Sequence, residues 1–246
     1  MTDAKHVPAW CEHAAGDHDR GAPSAATAPA GARTWLLIEF GGPWAAEATA
    51  TTLPPPLAKL AIGADELGLR VQLIRRPGSA DSGGDPGQVR ALFACSTAGP
   101  VPWLRRLSAD DLDQDTLAAL AAGEPPARGT ARAVQPGPLF LVCTHARRDR
   151  CCARFGVPLA RELARRYPDE VWETTHVGGH RFAANLVILP HGLYYGPVDQ
   201  AAAVEAVDAY RRGEVTARGY RGRAGQPVPE QEADCARVAR SGMLRR

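Results

Sequence analysis

The sequence predicts an α/β chain in two consecutive halves, each running strand, helix, strand, strand, helix. Three observations carry this. Short apolar runs rich in β-branched and aromatic residues are bounded by Gly and Pro, as strands are. Stretches with apolar residues at helical spacing lie between them. Residues 123–138, with four prolines and few large apolar side chains, separate the halves as a linker would. With 246 residues, 45% hydrophobic and 23% charged, the chain can bury a core without a disulfide or metal staple.

Residues 1–33 are dominated by Ala, Gly, Pro and His and lack a basic start followed by an apolar run, so a flexible leader is expected, not a secretory signal. Thr34 to Phe40 (TWLLIEF) predicts a buried strand that ends in the turn Gly41-Gly42-Pro43. After the Pro54-Pro55-Pro56 break come a helix from Leu57 to Leu69 and a strand from Arg70 to Ile74. A loop rich in Gly, Ser and Asp follows from Gly78 to Gly87, then a strand from Gln88 to Ala94 and a helix that Ser108 caps and that runs to Ala122.

The second half repeats the order. Leu139 to Val142 is a strand, Ala153 to Tyr167 a helix, and Glu170 to Thr175 extended. Asn185 to Leu189 and Leu193 to Gly196 flank the turn Pro190-His191-Gly192 as a hairpin. Asp199 caps a helix to Arg212, and the tail adds a Gly/Arg-rich loop, Gly219 to Gly225, and a helix from Pro229 to Arg240. This is the order of a thioredoxin-like sandwich. Two such lobes are therefore expected, 34–125 without ligands and 136–246 with them. Trp35, Trp44, Trp103 and Trp172 fall in strand or turn contexts and are expected in the core.

A formal net charge of +2 gives no electrostatic reason to expect a nucleic-acid partner. The longest apolar stretches, such as Trp35 to Ile38 and Leu186 to Leu189, fall far short of the roughly 18 residues that cross a bilayer, so no membrane partner is expected. Six cysteines, at 11, 95, 143, 151, 152 and 235, are too few and too uneven for a disulfide scaffold. Three of them fall within ten residues, which points to a metal or redox site in a reducing, cytoplasmic compartment.

Cys143 closes a predicted strand and Cys152 opens a predicted helix, with eight residues between them. Amide donors at the helix start and the surrounding arginines favour a thiolate there. Downstream, His176-Val177-Gly178-Gly179-His180 sets two imidazoles four positions apart. On a helix this spacing could serve a zinc hydrolase, but Gly-Gly disfavours a helix and no Glu is present as general base. Gly178 and Gly179 instead let the backbone approach a bulky inorganic centre and aim amide hydrogens at it.

Cys143-Thr-His, Arg148-Asp149 through Cys152, His176-Val-Gly-Gly-His180, Phe182-Ala-Ala-Asn185 and Tyr195-Gly196 together resemble the sucrase/ferredoxin-like family. That family includes thioredoxin-like ferredoxins with a bis-histidinyl 2Fe-2S cluster. The resemblance is good over 138–200, and Trp35 to Glu39, Gly42-Pro43-Trp44 and Tyr220-Arg221-Gly222-Arg223 look similar to the family's flanking segments. It implies a thioredoxin-like ferredoxin fold, Cys143 and Cys152 as thiolate ligands, and His176 and His180 as imidazole ligands of a 2Fe-2S cluster. Cys151 is not a ligand in that pattern. Gly178, Gly179, His145 and Arg148 are expected around the cluster. The family name does not make the chain a sucrase, because no local signal marks the two carboxyl groups that a glycosidase needs.

An electron carrier is expected before an enzyme. Two thiolates and two neutral imidazoles leave the oxidised cluster near neutral, so its potential is expected above that of four-thiolate ferredoxins and dependent on pH. Between Cys143 and Arg166, arginines at 147, 148, 150, 154, 161, 165 and 166 face only Asp149 and Glu162. This excess of five positive charges suits an acidic redox partner or is simply a solvated helix face. Three other readings remain open: a structural Cys2His2 zinc site, a thioredoxin-like thiol oxidoreductase using Cys151 and Cys152, and a cluster-based redox sensor.

Overall fold

The computed structural model describes residues 25–51, 53–78, 91–99, 101–108, 111–126 and 137–245. The first half contains strand β1 (Thr34–Glu39), helix α1 (Pro55–Glu66), strands β2 (Arg70–Arg75), β3 (Leu92–Ser96) and β4 (Trp103–Leu107), and helix α2 (Gln114–Ala121). The second half contains β5 (Leu139–Cys143), α3 (Arg150–Arg166), β6 (Val171–Thr174), β7 (Leu186–Leu189), β8 (Leu193–Tyr195) and α4 (Gln200–Arg211). It ends in β9 (Glu214–Thr216), β10 (Tyr220–Arg223), α5 (Val228–Ser241) and β11 (Met243–Arg245).

Nine strands form one sheet in the order β10-β8-β7-β5-β6-β2-β1-β3-β4. The same pairing occurs twice. In the first half β1 lies parallel to β2 and antiparallel to β3, which is antiparallel to β4. In the second half β5 lies parallel to β6 and antiparallel to β7, which is antiparallel to β8. Antiparallel pairing of Ile74 with Thr174 and of Arg75 with Glu173 joins β2 to β6 and makes the two half-sheets continuous.

Alternation along each strand explains why the apolar runs are unbroken. Leu36 and Ile38 face Leu57, Leu60, Ala61, Leu117 and Leu120 of α1 and α2. Their neighbours Trp35 and Leu37 turn the other way, into a cluster shared with Leu139, Leu141, Cys143, Trp172, Val187 and Tyr194 of the second half. Phe140 and Val142 point to α3, α4 and α5 through Leu159, Leu163, Ala206, Tyr210 and Val238. Each half-sheet is thus covered on both faces, and the sheet curls so that the halves share an inner layer. A strand buried on both faces has no reason to alternate apolar with polar. Trp35 and Tyr194 (6.5 Å between ring centroids) and Phe93 and Trp172 (5.8 Å) meet across this layer. Trp44 and Trp103 are buried too.

Several expectations change. The last strand of the first half, β4, was not expected, because two of its five residues are arginines that break the apolar pattern. The cap of α2 is Asp113, whose carboxylate accepts from the Thr116 amide at 2.7 Å, so the helix starts five residues after Ser108. Tyr220 to Arg223, expected within a loop, is an edge strand against β8. The expected loop from Gly78 to Gly87, the start of the Gln88 strand and most of the linker lie outside the described residues. Of the expected leader, 25–33 is described, and Ala28 and Ala32 are buried.

Helix α5 closes the end of the sheet through one carboxylate. The buried Asp234 accepts from the Tyr220 hydroxyl at 2.5 Å, from Arg223 Nε at 3.0 Å and from Arg237 Nη2 at 3.1 Å. Burial alone raises the pKa of this group, yet the hydroxyl and the guanidinium groups hold it below the usual carboxylate value. Because the folded value is depressed, the stabilisation is complete above the unfolded value of about 3.9 and is lost as pH falls through the folded one. Asp234→Asn is expected to cost about 3 kcal/mol in urea unfolding at pH 7, with the gap to wild type narrowing below pH 4.

Candidate metal centre

Cys143 is the last residue of β5 and, by alternation from Leu139 and Leu141, points into the inner layer. Cys152 reaches the same place from the first turn of α3. Asp149 sets where that helix begins: its backbone is extended and its carboxylate accepts from the Cys151 amide at 2.8 Å. Gly156, one turn on, lies against the Cys143 carbonyl, in space that a Cβ would fill. Both thiols are free and buried. Since Cys152 is free, no vicinal disulfide with Cys151 exists.

His176 follows β6 and completes a group with the two cysteines in which all ligand atoms lie within 4.8 Å of one another. Its Nδ1 stands 3.7 Å from Cys152 Sγ and 4.0 Å from Cys143 Sγ. The backbone of His176 is fixed on both sides. Its amide donates to His145 Nδ1 at 3.1 Å, and its carbonyl accepts from Gln72 Nε2 at 3.3 Å. Because His145 Nδ1 accepts there, its Nε2 carries the proton and donates to the Ala45 carbonyl at 2.6 Å. Burial lowers the His145 pKa and keeps the ring neutral. His145 therefore braces the ligand loop and offers no nitrogen to a metal.

The two thiols share one proton. Cys143 is held well below the ordinary thiol value, first by a hydrogen bond from Cys152 and then, against burial, by His176. The pKa of Cys152 is raised because it keeps the shared proton and is buried. The sequence pointed to the helix start at Cys152 as the place that favours a thiolate. The fold adds a hydrogen bond between the two thiols, which lets one of the pair carry the charge.

Gly178 and Gly179 both adopt left-handed backbone, with φ of 96° and 68°, where a side chain is strained. Beyond them His180 begins a short 3-10 helix, His180–Phe182, and is exposed, its ring centroid 6.2 Å from that of His176. Asn185 stitches this loop to β5: its Nδ2 donates to the Gly179 carbonyl at 3.0 Å, and its own carbonyl accepts from the Cys143 amide at 3.1 Å. Three of the four expected ligands thus stand together, and the fourth lies beside them at the surface. Arg148 does not reach the centre. It is exposed and pairs with Glu47 at the rim of a cleft of about 260 Å³ that His145, Thr175 and His176 also line.

The sucrase/ferredoxin-like model matches residues 26–222. The chain belongs to the sucrase/ferredoxin-like family. Searches of curated proteins and of solved structures find no match. Within this sucrase/ferredoxin-like chain the family match spans both halves, from the stretch before β1 to β10, and so takes in every residue of the centre.

Gln72, Thr175 and Asn185 went unassigned in the sequence although they fix the site. Thr175 and Thr174 hydroxyls donate to Gln72 Oε1 at 2.8 and 3.2 Å beneath His176. The signal was a polar run, Glu173-Thr174-Thr175, at the end of an otherwise apolar strand. Gly156→Ala tests the packing of α3 on Cys143. The added methyl meets a backbone carbonyl that cannot yield, so an overpacking cost of about 3 kcal/mol exceeds the helix gain of about 1 kcal/mol. The expected result is a net loss of about 2 kcal/mol in urea unfolding together with less bound metal per chain. Gly31→Ala, where a Cβ meets nothing within 4 Å, should leave both unchanged.

Proposed function

We propose that Cys143, Cys152, His176 and His180 hold a 2Fe-2S cluster and that the chain is a ferredoxin-like electron carrier. The observation that carries this reading is convergence: two free, buried thiols and one imidazole within 4.8 Å of one another, with a second imidazole beside the first. The donor set fits the group. Two soft thiolates at a buried end and two imidazoles at a solvent-facing end match an iron–sulfur centre with unequal irons. When bound, the cluster supplies a one-electron couple at a potential raised by neutral ligands, as in Rieske centres at roughly −150 to +300 mV against about −400 mV for plant-type ferredoxins.

The protein's own groups do the rest. Cys143 and Cys152, as thiolates, bring the negative charge. His180, exposed to water, sets one end of the centre at the surface. The exposed arginines 147, 150, 161, 165 and 166 suit an acidic redox partner. The repeated strand order supports two thioredoxin-like lobes joined edge to edge. No described helix is long and apolar enough to cross a membrane. A cluster-based sensor would use the same ligands and differ only in that its partner affinity changes with redox state.

One measurement favours a second reading. Sulfur to nitrogen separations of 3.7 and 4.0 Å are close to the edge of about 3.6 Å expected when one tetrahedral zinc holds Cys and His at about 2.3 and 2.1 Å. Anaerobic purification with iron, acid-labile sulfide and zinc assays decides between them, followed by EPR of the reduced protein. Iron and sulfide in equal amounts, near two of each per chain, are expected, and zinc without sulfide would sink the cluster. His180→Cys is expected to keep the cluster at a lower potential with a flatter pH dependence between pH 6 and 10.

A further inference from the structure

The Tyr220-Arg221-Gly222-Arg223 segment holds two arginines in very different surroundings. Arg223 meets the carboxylate of Asp234 at 3.0 Å, as Arg75 meets that of Glu173 at 2.8 Å. Arg221 is more deeply buried than either, at 1% exposure, and among the described residues no carboxylate pairs with it. Its acceptors are all neutral. Nε donates to Thr27 Oγ1 at 2.8 Å, Nη2 to the Thr27 carbonyl at 3.1 Å, and Nη1 to Asn185 Oδ1 at 2.5 Å. The guanidinium also lies 4.2 Å from the ring centroid of Phe182 and 5.8 Å from that of Tyr194.

Burial moves the pKa of Arg221 down to about 10, so the group stays charged at neutral pH. A buried, hydrogen-bonded cation without an anion is costly, because neutral acceptors return only part of its lost hydration. The arrangement makes sense where a negative charge stands close by. The candidate for that charge is the metal centre, whose histidine turn the guanidinium touches. The guanidinium fills the space that a Cβ on Gly179, the residue before His180, would need. Asn185, which accepts from Arg221, also donates to the Gly179 carbonyl and takes the Cys143 amide. Tyr194, whose ring centroid lies 5.8 Å from the guanidinium, donates to the Val177 carbonyl of the same loop at 3.1 Å.

We infer that Arg221 is the buried counter-cation of the metal centre, placed behind the Gly178-Gly179 turn to stabilise the extra negative charge of the reduced state. It is a positioning residue that acts through Gly179 and Asn185 and does not touch the reacting atoms. The inference rests on the cluster reading above. Electron gain adds one negative charge and no bond changes, so a fixed positive charge nearby favours the reduced form.

The test compares midpoint potentials of the cluster-loaded wild type, Arg221→Met and Arg221→Lys, with iron, sulfide and urea unfolding measured on each. Arg221→Met is expected to shift the reduced to oxidised ratio at least tenfold toward the oxidised form, a fall of about 59 mV for one electron. Arg221→Lys keeps the charge and gives up the planar fork, and should shift it less than threefold. Asn185→Asp supplies the missing carboxylate in nearly the same shape and should move the potential in the same direction as Arg221→Met, which keeps the test alive if the methionine variant does not fold. A folded, cluster-bearing Arg221→Met or Asn185→Asp protein within twofold of wild type would overturn the inference. So would equal shifts in the Met and Lys variants, which would leave Arg221 as a structural tie. Zinc without sulfide in the wild type would remove the cluster reading and this inference with it, an outcome distinct from an unshifted potential.

Discussion

The seam between β2 and β6 comprises two register pairs, and Glu173 sits at it with its carboxylate 3% exposed. That carboxylate accepts from Arg75 Nε at 2.8 Å and from the Thr144 hydroxyl at 3.1 Å. Arg75 in turn lies 4.0 Å over the Trp44 ring, whose edge meets His145. A buried ion pair is poor as a source of net stability but strongly destabilising to break, so it serves as a latch with a defined register. One residue beyond the seam, the Thr175 amide still pairs with the Leu73 carbonyl of the first half at 3.0 Å. Only after that does the chain leave the sheet as His176. The position of the histidine loop is therefore inherited from the joining of the halves, although every expected ligand belongs to the second.

Contacts from the first half reinforce this. Gln72 holds the His176 carbonyl and the Thr174 and Thr175 hydroxyls, and Ala45 holds the far nitrogen of His145. The half without ligands is thus the scaffold on which half of the centre rests. The exposure of the donors is graded, from thiols in the dry inner layer, through a half-buried His176, to His180 at the surface. Charge placed at the inner end is shielded from solvent and feels fixed protein charges strongly, whereas the outer end responds to water and to pH.

Much of this was legible in the residues. Strands buried on both faces announce themselves as apolar runs, which is why β1, β5, β7 and β8 were readable, and Asp199 marked its helix as a cap three residues before the amide it holds. The grouping of Cys143, Cys152 and His176 was readable because Cys, His and paired Gly at such spacing have few other uses. What failed was of two kinds. Short strands that carry two arginines each, β4 and β10, lack an apolar signature, whether the arginines are partly exposed, as in β4, or buried, as Arg221 is in β10. Among the supporting residues, Arg148 looked close to the centre because it neighbours Cys152 in the chain, yet its side chain turns outward to Glu47. Arg221 looked like part of a polar loop and is among the largest fully buried side chains. Sequence proximity predicts the loop on which a residue lies, not the direction of its side chain.

The bonds from Arg221 to Thr27 span 194 positions, and Gln231 reaches back to Ala28 through both of its amide atoms. The stretch before the first strand and the stretch after the ninth in chain order are therefore knotted together directly behind the histidine turn. On a ribosome the cysteines and histidines emerge well before residue 221 does. Until then the turn at Gly179 has Asn185 on its carbonyl but lacks the guanidinium behind it. The order of translation thus separates two events, the emergence of Cys143, Cys152, His176 and His180 and the completion of the shell around them.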